Sequence, residues 1–206
     1  MKKIIDKIKS TVISYLIKDH KNIDGFLSDN EAIALYKYAS KLSDNNTIVE
    51  IGCWKGKSTY CLAKGLSTGN IIVIDPFDAS GDDASKNDYE NKKGDKPLLE
   101  QFKKKMEQYK LLDKIIIMRG LSNDFVGQIK KINMLFIDGN HSKESCEFDY
   151  INYSFVISSG GFLLLHDFYE SRKELGPTWV VNNIIIPSRQ YDFIGLHDSL
   201  WVARKR

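Results

Sequence analysis

Cysteine is scarce in this chain: Cys53, Cys61 and Cys146 are the full complement, and no two form a C-x-x-C pair. An odd, scattered set without a secretion signal argues against a disulfide framework and predicts a reducing, cytoplasmic setting. An excess of charge of one sign is lacking too. Over 206 residues a net charge of +3 implies no nucleic-acid partner, and the basic end Ala203-Arg204-Lys205-Arg206 reads as a solvated tail. No apolar run approaches the length of a bilayer span, so no membrane partner is expected. Asp6, Lys7 and Lys9 interrupt the apolar start before any signal-peptide core develops. G-x-S-x-G, the P-loop and G-x-G-x-x-G are all absent, so hydrolase, NTP-binding and dinucleotide-binding readings lack their signatures.

What is present suits one domain: 42% hydrophobic and 28% charged residues match a soluble globular chain with a full core. Ile4, Ile5, Ile8, Val12, Tyr15 and Leu16 recur at helical spacing among lysines. That amphipathic helix is expected to pack on its own domain, with a membrane surface or a second subunit as the alternatives. Ser28-Asp29-Asn30-Glu31 has the form of a capping box, opening a helix with Ala32, Leu35, Ala39 and Leu42 on one face. The N-terminal helices end in the polar stretch Ser43-Asp44-Asn45-Asn46.

From there the pattern alternates. Strands are predicted over 47–51, 70–75, 114–118, 134–138 and 162–166, and helices over 58–66, 98–109, 123–129 and 143–156. Uniformly apolar strands joined by amphipathic helices predict an α/β, doubly wound, mostly parallel sheet covered on both faces. Segments 191–196 and 200–204 are separated by three residues, which permits only an antiparallel C-terminal hairpin. Residues 78–96 are polar and almost lack aliphatics, the composition of a lid or a disordered loop.

Ligands of open α/β sheets bind at the carboxyl ends of the strands, so those ends carry the functional reading. The first ends in Glu50-Ile51-Gly52 and turns through Cys53-Trp54-Lys55 into Gly56-Lys57-Ser58. Glycines here let a ligand approach the backbone, and the following helix start offers N–H groups. The second strand ends in Asp75, where a carboxylate can accept both hydroxyls of a ribose. A glutamate before the first glycine would repel a pyrophosphate but favour a sulfonium and an ammonium, which points to S-adenosylmethionine rather than NAD.

The run Ile48-Val49-Glu50-Ile51-Gly52-Cys53-Trp54-Lys55-Gly56-Lys57-Ser58-Thr59 resembles motif I of class I S-adenosylmethionine-dependent methyltransferases, which have a Rossmann-like fold. More narrowly it resembles a small bacterial family that includes antibiotic-sugar O-methyltransferases, with catechol-type O-methyltransferases more distant. The resemblance spans about 25–204. It implies that Glu50, Gly52 and Ser58 contact the methionine end, Asp75 the ribose and Ser122 the adenine side, with Cys53 a neutral thiol lining the pocket.

Two more strand ends, Asp138-Gly139-Asn140-His141 and His166-Asp167-Phe168, converge on the same edge. Two carboxylates with one or two imidazoles can hold a divalent cation, and a histidine can take a hydroxyl proton. The alternative is that the aspartates bond within their loops and His166 is a core histidine. In sugar-methylating members a D-x-x-H run supplies a metal ligand and a general base, which implies those roles for Asp138 and His141. The acidic pair ending strand five is here His166-Asp167, and Phe168 stands where the catechol type has asparagine. The expected cation is Mg²⁺ or Mn²⁺ on Asp138, His166 and Asp167, with His166 favouring the softer ion.

The function expected is O-methylation of a small hydroxylated molecule such as a sugar, by a chain that can self-associate through its N-terminal helices. The alternatives are a metal-independent N- or O-methyltransferase using His141, or a cofactor-binding protein without catalysis.

Overall fold

The computed structural model describes residues 2–43, 45–80 and 86–206. Its strands are β1 (Asn46–Ile51), β2 (Gly69–Asp75), β3 (Ile115–Arg119), β4 (Ile132–Ile137), β5 (Ile157–Leu165), β6 (Tyr191–His197) and β7 (Leu200–Lys205). They form one sheet in the order β3-β2-β1-β4-β5-β7-β6. β1 pairs in parallel with both β2 and β4, whereas β7 is antiparallel to β5 and to β6. The one reversed strand is thus the last, as the short 197–199 connection requires.

Helices cover both faces: α1 (Lys2–Leu16), α2 (Asp29–Ala39), α3 (Lys57–Gly65), α4 (Lys86–Lys93), α5 (Leu98–Gln108), α6 (Lys143–Ser154), α7 (Gly176–Val180) and α8 (Ile186–Ser188). Successive strand residues alternate between two cores. Ile48, Val73, Phe136, Leu164 and Val202 meet α2, α3 and α5 on one face. Val49, Ile74, Leu135, Leu163 and Ala203 meet α6 and the 180–185 turn on the other. Burial on both faces is why the strands read as continuous apolar runs. The chain leaves β1 toward β2 on one side and returns to β4 on the other. The strand order therefore reverses beside the carboxyl end of β1, where a crevice must open.

Several details differ from the sequence expectation. The 78–96 segment is not loop throughout, because α4 lies inside it; residues 81–85 lie outside the described residues, as does Asp44 of the polar stretch. A 3₁₀ turn, Ser122–Phe125, replaces the helix expected over 123–129. The apolar face named for α1 is not packed on the domain: Ile8, Val12, Tyr15 and Leu16 are exposed, and the side chains of Ile4 and Ile5 lie outside the described residues. Ile13 and the fully buried Ile17 attach that end of the chain instead. α7 and α8, joined through a π-helical turn at Val181–Ile185, had no sequence signal beyond Pro177 and Pro187 at their starts. Among the described residues no helix is long and apolar enough to cross a membrane.

Candidate active site

The turn after β1 is built for close backbone approach. Gly52 has φ +84°, and a Cβ there would collide with the carbonyl of Asp138. Gly56, at φ +90°, caps α3 and lies against Phe102 and Met106, so it supports the turn from behind. Asp75 fixes the turn's shape: its carboxylate accepts from the N–H groups of Cys53 (2.8 Å), Trp54 (3.0 Å) and Phe77 (2.6 Å). Burial pushes the Asp75 pKa up against those hydrogen bonds. Oδ2 accepts two of these bonds and Oδ1 one, so Oδ1 keeps a lone pair for one ligand hydroxyl.

Glu50 sits behind the turn. It is fully buried, and its two oxygens accept from Ser58 Oγ and Thr59 Oγ1 at 2.5 Å each. It therefore ties β1 to the first turn of α3 and lines neither cavity described below. Burial raises its pKa to about 8, against the two hydroxyl bonds and with help from Asp138 and Asp75. The Cys53 thiol is pushed well up by burial and the same carboxylates, so it is neutral.

Two cavities meet at Gly52, Trp54, Tyr89 and Asp138. The first, of about 540 Å³, lies beside Asp75 and Ser122. It also borders Asp149, a buried carboxylate on α6 whose pKa burial raises to about 6 despite a hydrogen bond from Ser122. The second, of about 510 Å³, is lined by Cys53, Ser58, His141, His166 and Asp167. Their shared wall is aromatic: Tyr89 of α4 makes edge contacts with Trp54 (4.9 Å between ring centroids) and Phe26 (5.1 Å). Lys55 Nζ, donating to Asp24 (3.1 Å) and the Lys92 carbonyl (2.6 Å), ties α4 to the same turn.

The strand-four and strand-five residues converge as expected. Asp138, His141 and Asp167 each offer a ligand atom within 4.8 Å of the others, a donor set suited to a divalent cation. His141 Nε2 lies 3.0 Å from Asp167 Oδ2. Asp167 is held at φ +56°, a left-handed conformation uncommon outside glycine. His166, the other expected ligand, lies directly against two members of that set. Its Nδ1 is 3.0 Å from both Asp138 Oδ1 and Asp167 Oδ2, while Nε2 faces Glu31 Oε2 at 3.2 Å. Burial opposes protonation of His166, but Asp138, Asp167 and Glu31 outweigh it and raise its pKa well above the ordinary range.

Glu31 was legible in the sequence only as a capping-box residue, and it is one: it exchanges hydrogen bonds with Ser28 at 2.8 and 3.2 Å. It also accepts from Ser199 N and Oγ (2.9 and 2.7 Å), joining α2 and the C-terminal hairpin behind His166. Burial raises its pKa, but the hydrogen bond and charge of His166 override this and bring it down to about 2. Asp149 and Tyr89 were not foreseen either, since neither belongs to a local motif.

Comparison with known proteins agrees with this architecture. Residues 49–168 match the model of the methyltransferase domain family. Among solved structures, an O-methyltransferase from Bacillus cereus in complex with SAH superimposes with a TM-score of 0.64 at 14% identity, over 95% of this chain and 91% of that one. TomG of Streptomyces achromogenes, an O-methyltransferase of tomaymycin synthesis in complex with SAM, gives 0.65 at 14% identity, over 94% and 88%. The O-methyltransferase NovP gives 0.66 at 14%, over 86% and 80%. At such identities the likeness shows the fold.

Proposed function

The chain belongs to the methyltransferase domain family, and from that premise we propose that it transfers the methyl group of S-adenosylmethionine to a hydroxyl of a small acceptor such as a sugar. The observation that carries this reading is the convergence of Asp138, His141 and Asp167 where the two cavities meet. The 540 Å³ cavity suits the cofactor, since the bare Gly52 Cα leaves its floor open and Asp75 and Ser122 offer polar groups along it. The acceptor then lies in the 510 Å³ cavity.

S-adenosylmethionine, when bound, supplies an electrophilic methyl group on a sulfonium. A cation held by Asp138 and Asp167 would lower the pKa of the acceptor hydroxyl. The chain's own residues do the rest. His141 takes the hydroxyl proton, and Asp167 at 3.0 Å orients its ring. Glu31 and His166 hold both carboxylates in place from behind. Trp54 and Tyr89 wall the junction and exclude water from it.

One observation favours a second reading, in which no cation takes part: His166 Nδ1 already contacts both carboxylates. Methyl transfer from labelled cofactor to a panel of sugars, nucleotide sugars and phenols, with and without EDTA, tests the proposal. Transfer to a hydroxylated acceptor that EDTA abolishes supports the metal-assisted reading. Full activity in EDTA supports the second, and absence of transfer across the panel sinks both.

A further inference from the structure

At the opposite edge of the sheet, where β1 and β4 begin, lies a third cavity of about 640 Å³ with no part in the site above. Lys37 in the last turn of α2, Lys41 just beyond it and Arg204 of β7 line it, together with Ser43, Asn133 and Ser159. Among the described residues no carboxylate lines it. The length of β1, about 20 Å at 3.3 Å per residue, separates it from Gly52.

Several of the chain's cations have a fixed polar partner. Lys21, Lys55, Arg172 and Arg206 each have a carboxylate partner, and Lys205 donates to the carbonyls of Ser154 and Phe155. Among the described residues, the side chains of Lys37 and Lys41 have only the Tyr38 ring, at 5.8 and 4.7 Å from its centroid. Arg204 donates Nε to the Gly160 carbonyl at 3.0 Å, and its terminal nitrogens have no partner among the described residues. Burial and the charges of Lys37 and Arg204 lower the Lys41 pKa. Lys41 and Arg204 are far apart in sequence, so the fold itself assembles this charge around a concave, polar surface.

Like charges brought together at a cavity are stabilised by an anion that several of them contact at once, and phosphate oxygens suit both guanidinium and ammonium donors. We propose that this cavity binds a phosphate-bearing small molecule through Lys37, Lys41 and Arg204. The site is independent of methyl transfer. Of the tail that read as solvated, Arg204 is the residue committed to it, while Arg206 pairs with Asp192.

Titration calorimetry of the full chain with inorganic pyrophosphate should show saturable binding that weakens as salt is added. K41Q and R204Q, both at exposed positions, should each weaken it by about tenfold or more, as loss of a charge-assisted hydrogen bond would. Pyrophosphate should raise the Tm of the wild type and not that of the double variant. Binding of S-adenosylhomocysteine, measured in parallel, should be unchanged in every variant, which separates this site from the catalytic one. Absence of saturable pyrophosphate binding overturns the proposal, as does equal binding by wild type and double variant. Retention on phosphatidic acid vesicles without binding of free pyrophosphate also overturns it, in favour of a membrane surface.

Discussion

Replacing Glu50 by glutamine should make the protein's stability less sensitive to pH, because Glu50 is a buried carboxyl held neutral up to about pH 8. Its folded pKa lies above the unfolded value near 4.5, so the folded state binds the extra proton between these values. Wild-type stability from this group is therefore greatest below about pH 4.5 and falls as pH rises toward 8. At 1.36 kcal/mol per pKa unit, the loss between about pH 5 and pH 7.5 is on the order of 3 kcal/mol. Glutamine has nearly the same shape as the neutral acid, whose own O–H reverses one of the two hydroxyl bonds. Its carbonyl can accept from one of the Ser58 and Thr59 hydroxyls and its amide can donate to the other, so the packing survives while the titration disappears. Urea unfolding of both proteins at the two pH values, without cofactor, isolates the effect, since other titrating groups cancel in the difference. The variant should gain about 3 kcal/mol on the wild type between them. A difference flat to within about 0.5 kcal/mol, near the error of extrapolation, would refute the reasoning and mean that Glu50 is already ionised at about pH 5.

Asp75→Ala leaves the N–H groups of Cys53, Trp54 and Phe77 without their acceptor, and calorimetry with S-adenosylhomocysteine should show affinity reduced by about tenfold or more. Gly52→Arg, which forces a side chain into the Asp138 carbonyl, should abolish that binding; retained affinity would remove the turn from the cofactor site. His141→Ala should keep cofactor affinity while single-turnover methyl transfer falls by about 10²–10⁴-fold, and wild-type rates would show that another group takes the proton. The segment carrying α4 should exchange its amide hydrogens quickly in the free protein and more slowly with cofactor and acceptor bound, and strong protection in the free protein would refute a lid.

Much of the site was legible because local sequence carries it. Gly52 and Gly56 are needed where φ is positive, and Asp75, Asp138 and Asp167 lie at or just beyond strand ends that apolar runs mark out. What was missed has no local signature. Glu31 reads as a helix cap at every scale short of the folded chain, and Asp149 is one acid among several on α6. Helix α4 was obscured by its composition: seven polar residues around a single tyrosine, where Tyr89 alone makes the aromatic contacts to Trp54 and Phe26.

The sequence by itself determined the order of the strands, the helices α1, α2, α3, α5 and α6, the mostly parallel sheet with its C-terminal antiparallel hairpin, and the strand ends that form the ligand-binding edge. Hydrophobic period and connection length decide those, and both are local quantities. Only the tertiary structure decided how the acids are used. Motif position implied a ligand role for Glu50; only the fold shows that its carboxyl is buried against Ser58 and Thr59 at the start of α3. Spacing placed His166 beside Asp138 and Asp167, but that Glu31, 135 positions away, faces its other nitrogen is set by the fold alone. A side chain's partner is set by three-dimensional proximity between distant segments, and neither spacing nor residue type along the chain encodes that distance.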